Sequence, residues 1–183
     1  LHDSIFLHDD NFSHWGIATR VLVQEHRFPN YSDVNIVFQS YPLGFSAFIY
    51  YFTTCIGIRT EWIQMYAQAI LMTGIITSLF AFARTLPQKI LTAACCIMML
   101  ASNTNFTELL VDTLLPVVAV GAIAFCLYYR EQIWEKIWWL MPYTAFLISV
   151  KNSGVFFVAV ILLYLLSKVK TIHHFKIWVW NAI

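Results

Sequence analysis

Adjacent carboxylates at Asp9 and Asp10, with His14 four residues beyond Asp10, are the first side chains whose types and spacing could move a proton. A carboxylate in a partly dry site gains proton affinity and can act as a general base. In a helix that begins here, Asp10 and His14 share a face, as do Asp9 and Ser13. Such a pair could tune a base, orient a substrate or contribute to a divalent metal site, although no third ligand follows at convincing spacing. The competing reading is structural. An Asp just before an amphipathic helix is a preferred N-cap, a role that accounts for one of the two acids.

Two further groups carry charge where charge is costly. Lys151 lies between apolar runs, so a lipid phosphate or a carboxylate is its natural partner; as a lysine at a helix end it could equally snorkel to water. Arg59 and Arg20 offer alternative phosphate contacts. Glu108 and Asp112 are four apart, which predicts a shared helical face with Asp112 about one turn inside an apolar span, and Lys151 is the economical structural partner for them.

The elements that position these residues belong to a membrane protein. Hydrophobic residues make up 60% of the chain and charged ones 11%, too little polar surface to cover a soluble globule of 183 residues. Basic residues collect in short gaps rather than in a patch, which argues against a nucleic-acid partner. Cys55, Cys95, Cys96 and Cys126 fall in apolar stretches without paired spacing and read as packing residues. A bilayer core needs about 20 apolar residues per helix. Trp62 to Ala83 and Leu109 to Tyr129 meet that length. Ile90 to Ala101, Trp138 to Val150 and Val155 to Leu166 are shorter, making about five apolar segments over residues 62–183. Polar Ser102-Asn103-Thr104-Asn105 follows the first of the short ones, and Lys151-Asn152-Ser153-Gly154 between the other two reads as a hairpin turn in preference to a kink in one long helix.

Assigning alternate gaps to opposite sides gathers Arg84, Lys89, Arg130, Lys136, Lys168, Lys170 and Lys176 on one face, seven of the eleven Lys and Arg. The positive-inside rule makes that face cytoplasmic and turns residues 1–61 outward. Within that segment Phe12, Trp15, Ala18 and Leu22 draw an apolar stripe, predicting a helix from about Asn11 to His26 lying in the membrane interface. Val34 to Gln39 reads as extended, and Phe45 to Ile58 as a second interfacial run. The polar start without an initiator Met is expected of an internal fragment that follows an earlier transmembrane helix. The fold class is therefore all-α: a polytopic transmembrane helical bundle with an outer-face loop carrying interfacial helices.

Three ordered patches of the outer segment, Asp10-Asn11-Phe12-Ser13-His14-Trp15, Arg27-Phe28-Pro29-Asn30 and Tyr41-Pro42-Leu43-Gly44, resemble the first outer loop of bacterial GT-C-type membrane glycosyltransferases. The likeness is nearest to a group of polytopic proteins of that superfamily whose loop reads Asp-Glu, Ser-His-Trp, Phe-Pro and Tyr-Pro before an apolar helix. Val111-Asp112-Thr113-Leu114-Leu115 and Val150-Lys151-Asn152-Ser153-Gly154 are similar to further patches of the same group. The resemblance implies a polyprenyl-phosphate-linked sugar donor, an acceptor at the outer face of the plasma membrane, and inverting transfer. Asp10 takes the position of the catalytic base. Asn11 stands where the group usually has Glu, which makes Asp9 the candidate second acid. His14, Lys151, Arg59 and Asp112 are then substrate-binding candidates; no cofactor is required, and a divalent cation remains open. The alternatives are a transporter or lipid flippase, with Glu108, Asp112 and Lys151 along its path, and a membrane subunit without chemistry.

Overall fold

The computed structural model describes residues 2–102, 108–170 and 172–182, and among these every regular element is helical. Of the polar gap after α5, Asn103, Thr104 and Asn105 lie outside the described residues. The helices are α1 (Asp9–Ser13), α2 (Trp15–Glu25), α3 (Gly44–Ile56), α4 (Glu61–Phe82), α5 (Leu86–Ser102), α6 (Val111–Tyr128), α7 (Ile133–Lys136), α8 (Met141–Val150), α9 (Gly154–Ser167) and α10 (Ile172–Ala182), with a 3-10 turn over Ile137–Trp139. Two of them, α4 with 22 residues and α6 with 18, are long and apolar enough to cross a membrane. At 1.5 Å per residue they reach about 33 and 27 Å, against a hydrocarbon core of about 30 Å.

The local chemistry of the ends explains the breaks. Gly57 closes α3 in the left-handed region at φ 78°, its amide bonding the Thr53 carbonyl. Thr85 and Gln88 open α5 as a reciprocal capping box: Gln88 Oε1 accepts the Thr85 amide at 3.0 Å and Thr85 Oγ1 accepts the Gln88 amide at 3.4 Å. Inside α6, Pro116 has no amide to offer the Asp112 carbonyl, which frees that carbonyl beside the first turn.

α4 and α6 form the central pair; α8 packs on α6, α9 on α6 and α8, and α3 on α4 and α8. Leu114, Val117, Val118, Ala122 and Met65 are among the fully enclosed side chains. The two ends of this assembly differ in charge. Glu61, Glu108, Asp112 and Lys151 are tied together or to the N-terminal segment at one end. Arg84 is tied to Tyr128, and Trp134 to Lys168, at the other. α3 begins at the acidic end, where Gly44 abuts Ser149 near the end of α8, and the chain is at that end again by Glu61, which bonds Phe6.

Three sequence expectations are corrected. The helix predicted from Asn11 to His26 is two helices, interrupted at His14 where φ is −150° and ψ −74°. Its stripe of Trp15, Ala18 and Leu22 is buried on α3 instead of being free for lipid, while Phe12 alone stays exposed. Residues 34–39 are a succession of turns and not an extended strand, with Ile36 pinned inward and the Val37 amide bonded to the Ser13 carbonyl at 2.9 Å.

The turn at residues 151–153 brings α9 back along α8, and its closeness requires Gly154: a methyl group there would overlap the Leu147 carbonyl oxygen. Gly154→Ala should therefore destabilise the chain by about 1–3 kcal/mol through forced backbone displacement. Thermal unfolding in detergent checks this; Gly74→Ala, at a position with open space, is the control.

Candidate functional site

The N-terminal segment is held on the acidic end by two glutamates from distant sequence. Glu61, in the first turn of α4, accepts the Phe6 amide at 2.8 Å and the Arg20 guanidinium at 3.2 Å. Glu108 accepts the Leu7 amide at 2.9 Å through Oε1 and the Asn11 side-chain amide at 2.6 Å through Oε2. Gln68 of α4 donates to the Glu108 carbonyl at 2.8 Å, fixing the backbone that carries this clamp. α6 starts only at Val111, so Glu108 precedes it and the expected common helical face of Glu108 and Asp112 does not form.

This clamp sets α1 in place. His8 is its N-cap, accepting the Asp10 amide on Nδ1 at 3.2 Å, so neither Asp9 nor Asp10 has the capping role expected of one of them. Both sit in the first turn, where negative charge is favoured by the exposed amides. Asp9 is exposed. The Asp10 carboxylate is half-exposed and makes no hydrogen bond among the described residues; His8 Nδ1 lies 3.8 Å from it.

His14 occupies the break between α1 and α2 and is almost fully enclosed. Trp15, Phe38 and Tyr41 meet its ring edge to face at centroid distances of 4.3, 5.8 and 5.3 Å. Neither ring nitrogen has a hydrogen-bond partner among the described residues. The imidazole lines a cavity of about 290 Å³ together with Pro29, Asn30, Tyr31, Gln39 and Leu43. The loop over this cavity is braced by Arg27, which forks onto Asp33 at 2.8 and 2.7 Å and reaches Glu25 at 2.7 Å. The Arg27 hydrogen bonds, then the Asn30 amide, hold the Asp33 carboxyl down at about 2, and Asp33 in turn raises the Arg27 guanidinium.

Burial pushes the His14 imidazole down from 6.5 to about 4; Asp10 acts in the opposite sense and Lys151 in the same sense, which places all three in one electrostatic neighbourhood. At neutral pH the ring is uncharged, with one nitrogen able to donate and the other to accept. Between pH 6.5 and 4 the unfolded chain binds the proton that the folded chain refuses, so stability rises with pH across that window. Acidification from 6.5 to 4 should remove roughly 3 kcal/mol at this position. Chemical denaturation in detergent across that range checks it, with His14→Phe expected to flatten this part of the profile.

Lys151 ends α8 and contacts Asp112 Oδ1 at 2.5 Å, with Nζ also 5.8 Å from the Tyr41 ring centroid. Lys151 is half-buried while Asp112 is exposed, so the carboxylate is the partner that solvent or a ligand could replace. Arg59 is exposed in the α3–α4 connection, whereas Arg20 is engaged by Glu61.

The structure thus brings Asp10, His14, Lys151 and Asp112 to one end and leaves Asp9 and Arg59 at the surface. The sequence assigned no site role to Asn11, Glu61 or Tyr41, and Gln64 and Gln68 drew no notice. Gln64 and Gln68 are buried polar residues one turn apart in an apolar span, a spacing that marks a helix face needing partners. No protein-family model, curated protein or solved structure matches the chain.

Proposed function

We propose that this chain is the outer loop and part of the helical region of a GT-C-type membrane glycosyltransferase, a multi-pass protein of the plasma membrane. It moves a sugar from a polyprenyl-phosphate-linked donor to an acceptor at the outer face, with inversion. The observation that carries this reading is the uncommitted Asp10 carboxylate in the electrostatic neighbourhood of a neutral His14 that lines a cavity, with Lys151 at the same end.

In the step this implies, Asp10 takes the proton of the acceptor hydroxyl as its oxygen bonds the anomeric carbon. The bond from that carbon to the phosphate oxygen breaks and its electron pair leaves with the lipid phosphate. Lys151 offsets the phosphate charge by exchanging Asp112 for it. His14, with one donor and one acceptor, orients a hydroxyl in the cavity. Asp9 is close enough in sequence to add negative field but stands in solvent, and Arg59 offers an outer contact for phosphate. The two long apolar helices, with the basic residues gathered at their far end, support an outward N-terminal segment.

A transporter or lipid flippase is the second reading, favoured by the Asp112–Lys151 pair at the mouth of α6. Sugar transfer assayed in membranes separates the two. Asp10→Asn should abolish transfer under the first reading, whereas Asp112→Asn and Lys151→Gln should be the more damaging changes under the second.

A further inference from the structure

At the basic end, α4, α5 and α6 enclose a cavity of about 480 Å³ that none of the preceding chemistry uses. Its walls are apolar, with Leu79, Leu91, Val120 and Leu127 along the helices, and its polar rim carries Arg84 and Arg130. Among the described residues no Asp or Glu lines it. The Arg84 guanidinium lies over the Tyr128 ring, 4.4 Å from its centroid, and makes only a long 3.4 Å bond to the Tyr128 carbonyl. Arg130 has only its exposed neighbour Glu131, at 3.3 Å. Two guanidinium groups without a buried counter-charge therefore stand at the mouth of an apolar groove. Each lies two residues past the end of a helix of membrane-crossing length, Arg84 after α4 and Arg130 after α6. Arginine matches phosphate oxygens through its planar fork, and its stacking on tyrosine leaves that fork free.

We propose that this groove binds one anionic phospholipid, the phosphate on Arg84 and Arg130 and an acyl chain along Leu91 and Val120. Charge complementarity selects this occupant. A zwitterionic lipid brings its own cation to the rim, where it would meet the two arginines. Basic pockets between membrane helices on the side rich in Lys and Arg hold anionic head groups by the same physics. The site is independent of the sugar-transfer reading and lies at the opposite end of α4 and α6.

The test is native mass spectrometry and thermal unfolding of the full chain in neutral detergent, titrated with dioleoyl phosphatidylglycerol or dioleoyl phosphatidylcholine. One phosphatidylglycerol should be retained preferentially. Affinity should fall about five-fold for Arg84→Gln or Arg130→Gln alone and about twenty-five-fold for both. The double lysine variant, Arg84→Lys with Arg130→Lys, should keep most of the preference, which separates charge loss from misfolding. The proposal is overturned by equal retention of the two lipids, or by an unchanged preference in a folded double Gln variant. Competition by soluble glycerol phosphate as effective as the whole lipid would also overturn it, since the site would then be a polar anion site. So would a lipid-free dimer whose formation buries the groove.

Discussion

Asp10→Asn should lower sugar transfer by about 10²–10⁴-fold, the usual contribution of a positioned general base. The measurement is incorporation from a radiolabelled polyprenyl-phosphate-linked hexose in membranes containing the full chain. Asn conserves shape and one acceptor but has no affinity for the proton. The Asp10 carboxylate makes no hydrogen bond among the described residues, so its neutralisation disturbs little else. The only structural loss is a favourable charge in the first turn of α1, about 0.3–1 kcal/mol, and expression and thermal unfolding should stay near those of the parent. His14 loses the group that raises its proton affinity, so its own titration should move further down. Transfer that survives Asp10→Asn sinks the assignment of the base; survival together with loss in Asp112→Asn or Lys151→Gln would favour a transport path.

What the sequence made legible follows the range of the interactions. α4 and α6 emerge within a few residues of the apolar runs Trp62 to Ala83 and Leu109 to Tyr129, because length and hydropathy are local properties. The Lys-Asn-Ser-Gly composition before Gly154 favoured a turn but left one long kinked helix as the alternative. The N-terminal segment was not legible, for two physical reasons. Its apolar stripe is continuous at helical spacing, yet the chain breaks at His14, where the ring turns into a cage built by Phe38 and Tyr41 from the following loop. The competing Asx cap also looked stronger than the histidine cap that forms at His8. As for the candidate site, the approach of Lys151 to Asp112 could be guessed from the cost of a lone charge near the membrane. The engagement of Glu61 and Glu108 with backbone amides 55 and 101 residues away carries no periodic signal. An acid that accepts main-chain hydrogen bonds does so from any sequence, and only the fold reveals it.

That dependence makes Glu108→Ala the variant expected to cost most in stability. Glu108 is buried, and its carboxylate is the acceptor for both the Leu7 amide and the Asn11 side chain. Asn11 is itself 2% exposed, and its Oδ1 has no partner among the described residues, so removal of Glu108 leaves the Asn11 amide dry and unsatisfied among them. Hydrogen bonds to a charged group contribute about 1.5–3 kcal/mol, and two lost together should lower stability by about 3–5 kcal/mol. Asn11→Ala alone should cost less, and adding it to Glu108→Ala should cost much less than the sum, because it removes the group the first change had orphaned. Thermal unfolding of the four-member cycle in detergent reads this coupling directly. Limited proteolysis should cut between residues 5 and 9 faster in Glu108→Ala, as the clamp on Leu7 opens. Since α1 carries Asp10, the same variant should lose transfer as well, but with a lowered melting temperature, which Asp10→Asn should not show. Additive energies in the cycle, or unchanged proteolysis, would mean that α1 is held by the packing of Phe6 and Trp15 and not by this carboxylate.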